Sequence, residues 1–246
     1  MGDERQAALE VIASEVRACT QCRLHETRTL AVPGEGDPDT EVVFVGEGPG
    51  MNEDREGRPF VGRAGGLLVR LLASIGWQRE DVFITNVVKC RPPGNRDPEA
   101  DEIAACAPYL RRQLQVLDPA VVVTLGRFSM QAFIPGARIG QVHGTTHPVD
   151  PETGAANALA FAMYHPAAAL RSSGVEQTSF EDVARVPDVL LRARRLRAGQ
   201  PEPAAAVVAA PAAGPQPDPE GPPAPPAHAA VTADPAPDDA SQLTLF

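Results

Sequence analysis

Four cysteines are the residues of this chain whose spacing is most specific for chemistry. Cys19 and Cys22 are separated by two residues, and Cys90 and Cys106 follow much later in the chain. Two thiolates spaced like the first pair can bind a metal centre from a single turn, and two further thiolates complete a tetrahedral set. The pattern predicts a metal or iron-sulfur site that fastens the amino-terminal segment to the core. The spacing leaves open whether the site binds zinc or a four-iron cluster.

Two structural disulfides are the alternative interpretation of the same cysteines, and they would require an oxidising compartment. The opening residues, Met1 to Arg5, lack the basic and apolar segments of a signal peptide. No apolar run approaches the roughly 20 residues that span a bilayer. We therefore expect a cytoplasmic protein with reduced thiols and no membrane association.

Composition divides the chain into a globular part, residues 1–200, and a tail. From residue 201 onward there is no Lys or Arg, and 12 of the 26 prolines fall there. Such a segment cannot bury enough apolar surface to offset its ordering entropy, so residues 201–241 are expected to form a disordered linker. The chain carries a net charge of −10. Because nucleic-acid binders are usually basic, binding to nucleic acid would have to use a local patch.

The elements that must position any functional residues alternate between strand and helix patterns. Short apolar runs predict four buried strands, at residues 41–46, 82–88, 120–125 and 158–164. Amphipathic patterns predict helices at residues 3–18, 64–75, 98–117, 127–133 and 179–197. This order predicts an α/β fold, a three-layer sandwich in which helices flank a central, mostly parallel four-stranded sheet.

Polar residues follow the predicted strands. Glu47 lies after the first strand, Asn86 in the second and His165 after the fourth. Because ligands of open α/β sheets bind beyond the carboxyl ends of the strands, we expect these three side chains to converge on one crevice. The glycines from Gly46 to Gly50 do not form a nucleotide-binding loop, since no G-x-x-x-x-G-K-[ST] pattern is present.

Several motifs in order resemble the family 4 uracil-DNA glycosylases, which carry an iron-sulfur cluster. The motifs are Gly46-Glu47-Gly48-Pro49-Gly50 with Glu53-Asp54, Gly57-Arg58-Pro59-Phe60-Val61-Gly62, Thr85-Asn86-Val87-Val88-Lys89-Cys90-Arg91-Pro92-Pro93, and His165-Pro166 with Leu170. The resemblance covers about residues 9–196 and includes all four cysteines. It implies a uracil-DNA glycosylase-like fold and a [4Fe-4S] cluster, mainly structural, on Cys19, Cys22, Cys90 and Cys106.

The resemblance implies an activity as well, the hydrolysis of the N-glycosidic bond of uracil in single- or double-stranded DNA, which initiates base excision repair. Phe60 would stack on the flipped base, and the Asn86 amide would pair with uracil O4 and N3–H. His165 would stabilise the leaving uracil anion at O2. Leu170 would fill the gap in the base stack.

Water activation is less clearly assigned by the motifs. Related glycosylase families carry Asp where this chain has Gly48, so Glu47 becomes the candidate base. Gly46 and Gly48, at the end of the first predicted strand, are expected to be substrate-binding residues. Main-chain amides at residues 62–66, a helix start, have two interpretations: a binding site for a DNA phosphate or a plain glycine-rich helix entry. The protein is expected to act as a monomer.

The last five residues, Gln242-Leu243-Thr244-Leu245-Phe246, resemble the peptide by which bacterial repair proteins dock on the β sliding clamp. A glutamine followed by leucines and an aromatic residue suits an apolar pocket with an edge hydrogen bond. On residues 201–241 as a linker, this peptide would hold the enzyme near replicating DNA. We therefore expect a bacterial protein associated with the nucleoid through DNA.

Two other functions remain open on the sequence. One is a uracil-DNA binder that traps its substrate covalently; such proteins carry a basic, His-bearing insertion after the second strand motif, whereas here Lys89 leads directly into Cys90. The other is a noncatalytic iron-sulfur or zinc module that recruits partners. Release of uracil with multiple turnover distinguishes an enzyme from both.

Overall fold

The computed structural model describes residues 2–200, and the predicted linker and clamp-binding peptide lie outside the described residues. Six strands in these residues form one sheet in the order β1-β3-β2-β4-β6-β5. The strands are β1 (Glu35–Gly36), β2 (Val42–Gly46), β3 (Phe83–Asn86), β4 (Val121–Leu125), β5 (Thr146–Pro148) and β6 (Leu159–Met163). The four central strands are parallel, and β1 and β5 pair antiparallel at the edges.

Helices cover both faces of this sheet. They are α1 (Gly2–Ala18), α2 (Met51–Glu56), α3 (Arg63–Ser74), α4 (Ala100–Leu117), α5 (Arg127–Phe133), α6 (Ile139–Val142), α7 (Pro166–Ala169), α8 (Ser173–Val183) and α9 (Val186–Arg197). The longest, α4, starts at a reciprocal capping interaction between Glu99 and Glu102. It ends at Asp118, which adopts a left-handed conformation. No helix within residues 2–200 is long and apolar enough to cross a membrane.

Strand periodicity creates the three layers. In β2, Val43 and Val45 belong to one apolar cluster, whereas Val42 and Phe44 belong to the other. Successive side chains of a strand point to opposite faces, so one fully apolar strand supplies both cores. The first cluster packs under α1, α4 and α5, and the second packs under α3, α8 and α9.

The predicted fold class is confirmed, and all four predicted strands form the centre of the sheet. The sheet is wider than predicted because β1 and β5 were not recognised: they have two and three residues, too few for a periodic pattern. The predicted helix at residues 179–197 is two helices. Pro187 lies in the first turn of α9, where its missing N–H is tolerated, and so marks a new helix start.

Candidate active site

A cavity of about 510 Å³ opens at the carboxyl ends of the central strands. Glu47 lines it from the end of β2, Asn86 from the end of β3 and His165 from the end of β6. The parallel register aligns Gly46 with Asn86, which brings the first two strand ends side by side. The predicted convergence of these three side chains is therefore present. Phe60 and Gly48 also line the cavity.

Asn86 lines this cavity and has an unpaired side-chain acceptor. The residue is 1% exposed, and its side-chain oxygen Oδ1 has no hydrogen-bond partner within residues 2–200. A buried amide oxygen without a donor costs free energy, and native proteins rarely leave one unpaired without a functional reason. Gly46 permits the arrangement, because a Cβ there would lie 2.4 Å from Asn86 Oδ1 and 2.6 Å from Phe60 Cζ.

His165 is held as a neutral donor. It caps the start of α7, and its Nδ1 accepts a hydrogen bond from the Ala167 main-chain N–H at 3.1 Å. A neutral imidazole that accepts at Nδ1 carries its proton on Nε2. Burial, with a smaller contribution from the charge of Arg171, lowers the pKa of His165 to about 4, and Glu53 opposes the shift. The ring is therefore uncharged at neutral pH.

Glu47 is a carboxylate with a raised pKa. Burial is the main cause, the negative charge of Asp97 adds to it, and Arg127 opposes it. Asp97 and Arg127 form an exposed ion pair at 2.6 Å. The next residue, Gly48, is closely packed, since a Cβ there would lie 2.7 Å from Val88 Cγ2. A larger residue at position 48 would require Val88 to move.

Phe60 forms the apolar wall of the cavity. Its ring centroid lies 5.8 Å from that of His165, with the two planes tilted by 30°. The Phe60 backbone adopts a left-handed conformation with φ of 52°, which is uncommon for a bulky residue. Gly65 accommodates this turn, because a Cβ there would lie 1.8 Å from the Phe60 carbonyl oxygen.

Glu53 lines the cavity and makes contacts that the sequence motifs did not predict. Its Oε1 accepts hydrogen bonds from the main-chain N–H groups of Val61 at 3.0 Å and Gly62 at 2.8 Å. The interpretation that amides at residues 62–66 hold a phosphate is wrong for Gly62, because a protein carboxylate already occupies its N–H. The Gly66 N–H is also used, by the Gly62 carbonyl inside the helix. Glu53 lies in the six-residue helix α2, which is too short for a periodic pattern to reveal such a contact.

Leu170 does not line the cavity. It follows α7, is partly buried and packs against the apolar cluster beneath α3. Its neighbours Ala168 and Arg171 do line the cavity. Leu170 therefore lies beside the cavity mouth, and its role as a wedge stays a prediction.

The four cysteines surround a second, small cavity. Cys19 and Cys22 follow α1, Cys90 follows β3, and Cys106 lies in α4, and all four are free thiols. Within residues 2–200, no group of three or more Cys, His, Asp or Glu side chains is arranged to hold a metal ion. The cysteines thus share one cavity, and the disulfide alternative is not what the structure contains.

Hydrogen-bond donors point at two of these sulfurs. Arg28 donates to Cys90 Sγ at 3.0 Å, and the main-chain N–H of Lys89 donates to Cys106 Sγ at 3.2 Å. Burial raises the pKa of Cys90, against the opposing effect of Arg28, and raises the pKa of Cys106 to about 11, against the opposing charge of Lys89. Donors of this kind are the contacts that tune cluster sulfurs. The donor set therefore fits a thiolate-bound cluster.

Lys89 connects the two cavities. Its side chain is fully buried, and its ammonium group donates to Thr85 Oγ1 at 2.6 Å, to Gln113 Oε1 at 2.7 Å and to the Asn86 carbonyl at 2.8 Å. All three donors of the ammonium group are thus used. The segment from Asn86 to Cys90 is therefore tied at both ends, to the sheet and to the cysteine cavity.

Comparison with known proteins assigns the family. The family model of the uracil DNA glycosylase superfamily matches residues 33–185. The type-4 uracil-DNA glycosylase of Sulfurisphaera tokodaii is 46% identical over 194 residues, which cover 76% of this chain and 87% of that protein. The chain belongs to the type-4 uracil-DNA glycosylase family. The resemblance inferred from the motifs is confirmed.

Two other members of the family give the same result. The type-4 enzyme of Saccharolobus solfataricus is 48% identical over 188 residues, covering 74% of this chain and 86% of that protein. The type-4 enzyme of Thermotoga maritima is 43% identical over 183 residues, covering 74% of this chain and 94% of that protein. The superfamily match includes every residue that lines the active-site cavity, whereas Cys19 and Cys22 precede it.

Proposed function

We propose that this chain removes uracil from DNA by hydrolysing the N-glycosidic bond, the first step of base excision repair. The observation that carries the proposal is the unpaired, buried Oδ1 of Asn86 in a cavity at the strand ends. Uracil offers the N3–H donor that this oxygen lacks, and its O4 accepts from the Asn86 amide group. Cytosine presents the opposite pattern at these two positions, so a fixed Asn86 rejects it.

The base enters the cavity only after it leaves the double helix. A base within a duplex exposes neither its pairing edge nor its glycosidic bond, so glycosylases extrude the nucleotide. The Phe60 ring offers a stacking surface for the extruded uracil, and stacking on an aromatic side chain contributes about 1–3 kcal/mol per base. Leu170, beside the cavity mouth, would occupy the gap left in the base stack.

His165 stabilises the leaving group. Cleavage of the glycosidic bond places negative charge on the uracil ring, in part on O2. A neutral imidazole with its proton on Nε2 can donate to O2, and the hydrogen bond strengthens as the charge develops. The main-chain N–H of Ala167 fixes this tautomer, so the donor needs no rearrangement during the reaction.

Glu47 acts on the sugar side of the bond. Its carboxylate orients or deprotonates the attacking water and stabilises the positive charge that develops on the sugar. Close packing of Gly48 against Val88 supports this assignment, since the adjacent position offers no carboxylate. Glu47 lines the same cavity and would also exclude the thymine methyl group.

A [4Fe-4S] cluster would be held by Cys19, Cys22, Cys90 and Cys106. When bound, it supplies a structural cross-link and no step of base release. Arg28 and the Lys89 main chain would donate to the ligand sulfurs. The cofactor assignment is tested by metal analysis of anaerobically purified protein: about four irons and four sulfides per chain support it, and a single zinc contradicts it.

The activity is tested with a uracil-containing oligonucleotide, followed by alkali to cleave abasic sites. Matched oligonucleotides with thymine or cytosine at the same position are the controls. Multiple-turnover strand scission of the uracil substrate alone supports the proposal. A denaturant-stable adduct would identify a covalent trap instead, and neither product would identify a noncatalytic module.

A further inference from the structure

Phe60 has a backbone conformation that its own sequence does not favour. Its φ of 52° lies in the left-handed region, where a bulky side chain is uncommon and the conformation is unfavourable without outside support. The ring direction depends on this backbone, because the ring lies against Gly46 and His165. The contacts that hold the backbone of Phe60 therefore also set the stacking wall of the cavity.

Arg79 supplies those contacts from outside the cavity lining. Its Nη1 donates to the Phe60 carbonyl at 2.8 Å, and its Nη2 donates to the adjacent Pro59 carbonyl. The planar guanidinium thus bonds two successive main-chain oxygens at the turn. The Arg79 side chain is 14% exposed, so these bonds are largely shielded from water.

A glutamate fixes Arg79 in turn. Glu35 Oε1 accepts from Arg79 Nε at 3.1 Å and Nη2 at 2.8 Å. Partial burial pushes the pKa of Glu35 upward, but hydrogen bonds from Arg58 and Arg79 outweigh it and leave the pKa below its usual range. Glu35 is therefore ionised at neutral pH and holds the guanidinium in place.

We propose that Arg79 is a positioning residue for base excision that acts through Phe60. Arg79 holds residues 59–60 in the strained turn, so the Phe60 ring is in place before the base arrives. This inference rests on the proposed function, since it assigns a role in the same reaction. Without the two hydrogen bonds from Arg79, the backbone of Phe60 can leave the left-handed conformation and the ring can move. Displacement of a positioning group by about 1 Å can lower the rate about 100-fold.

The structure offers a matched control in Arg58. Arg58 also donates twice to Glu35, at 2.8 and 2.9 Å, while the Pro59 and Phe60 carbonyls are bonded by Arg79. Arg79→Gln and Arg58→Gln each remove one positive charge and one partner of Glu35. Only the first substitution removes the bonds to the turn.

The test compares single-turnover uracil release by wild-type protein, the two Gln variants, Phe60→Leu and the Arg79→Gln/Phe60→Leu double variant. We expect Arg79→Gln to lower the single-turnover rate constant for uracil release by about 10- to 100-fold and Arg58→Gln to stay within about threefold of wild type. If Arg79 acts through Phe60, Arg79→Gln should have less than about a threefold effect in the Phe60→Leu background. Affinity for a uracil-free oligonucleotide should be unchanged in every variant.

Independent, multiplicative losses in the double variant would overturn the proposal, as would equal losses for Arg58→Gln and Arg79→Gln. Arg79→Lys, which keeps the charge and loses the fork, provides a second variant if Arg79→Gln does not fold; wild-type kinetics for Arg79→Lys would also overturn it. A wild-type protein that releases no uracil fails the proposed function itself. An active wild-type protein whose rate is unchanged by Arg79→Gln would instead overturn only the role of Arg79.

Discussion

At the scale of single residues, the Asn86 amide is proposed to read the base, and burying its unpaired oxygen lowers the stability of the fold. Its Oδ1 is buried and has no hydrogen-bond partner among residues 2–200, and a ligand donor would satisfy it. We expect Asn86→Ala to lower kcat/KM for uracil release by at least about 100-fold, because both base-edge hydrogen bonds are lost. The melting temperature should not fall, since an unsatisfied buried acceptor is removed with the amide. Oligonucleotide cleavage and thermal unfolding measure the two quantities.

The control for this variant is the visible absorbance of the purified protein, which would report the proposed cluster. An Asn86→Ala protein with unchanged absorbance and near-normal uracil release would refute the assignment of Asn86 as the base reader. Loss of absorbance would instead indicate damage that spreads along the segment from Asn86 to Cys90.

Glu47 gives a pH dependence whose sign follows from its neighbours. Its pKa is raised, mainly by burial and then by the charge of Asp97. If the ionised carboxylate is required, activity falls as pH drops through this raised pKa, so the acid limb lies above that of an ordinary glutamate. Asp97→Asn removes the negative neighbour and should move the limb to lower pH. Arg127→Gln removes the positive neighbour and should move it to higher pH.

The measurement is kcat/KM for uracil release between pH 4 and 9 for the wild-type protein, Asp97→Asn and Arg127→Gln. His165 should add no ionisation near pH 6.5, because its pKa is about 4. An acid limb that is the same in all three proteins would mean that another group controls the reaction. Glu47→Gln should abolish the limb together with most of the activity.

The sequence predicts Glu47 and His165 as site residues because each directly follows a strong strand pattern, and Asn86 because it lies late in another. Such residues must reach the same edge of a parallel sheet. The contacts of Glu53 and Arg79 were not predicted, because each side chain bonds main-chain groups of a loop that is distant in sequence. The tautomer of His165 was not predicted either, because it depends on the hydrogen bond from the Ala167 N–H at the start of α7, which forms only in the folded backbone.

At the scale of elements, the polar network around Lys89 joins β3 to α4. Thr85 Oγ1 accepts from Lys89 and donates to the Pro33 carbonyl at 2.9 Å, and Gln113 Nε2 donates to the same carbonyl at 2.7 Å. Thr85→Val keeps the side-chain shape but leaves one ammonium donor and one carbonyl with fewer partners. We expect a loss of about 1–3 kcal/mol in the free energy of unfolding, measured by urea denaturation.

Thr85→Ser is the matched control, because it retains the hydroxyl and removes one methyl group. It should cost less than Thr85→Val if the network, and not packing, carries the stability. The reverse order would show that the methyl group matters more than the hydrogen bonds.

The same scale explains which elements were predictable. The four central strands are rich in apolar residues and almost entirely buried, and such runs are visible in sequence. The edge strands β1 and β5 pair through two or three residues and carry Gly, Pro or charged side chains. Their pairing depends on the neighbouring strand, so no local pattern announces it.

At the scale of the whole molecule, one segment serves both sites. Asn86 ends in the active-site cavity, and Cys90 lies four residues later in the cysteine cavity. The cysteine cavity lies where α1 packs against α4, since Cys19 and Cys22 follow α1 and Cys106 belongs to α4. A cluster would therefore fix the segment that carries Asn86, the proposed base reader, while taking no part in base release.

The tail, residues 201–246, bears on where the protein acts in the cell. Residues 242–246 lie outside the described residues, and their assignment rests on the Gln-Leu-Thr-Leu-Phe sequence alone. A clamp pocket would take the apolar side chains of Leu243, Leu245 and Phe246. Deletion of residues 242–246 should therefore abolish binding to a bacterial β sliding clamp, measured by surface plasmon resonance, while uracil release from short DNA stays unchanged.

Single substitutions within the peptide separate specific docking from nonspecific adhesion. Leu243→Ala or Phe246→Ala should weaken clamp binding by about 10-fold or more, as expected for residues that anchor an interface. Thr244→Ala should change it by less than about twofold, because the apolar anchors remain. A clamp affinity that survives deletion of all five residues would rule out the tether and leave the catalytic assignment untouched, since the cavity lies wholly within residues 47–171.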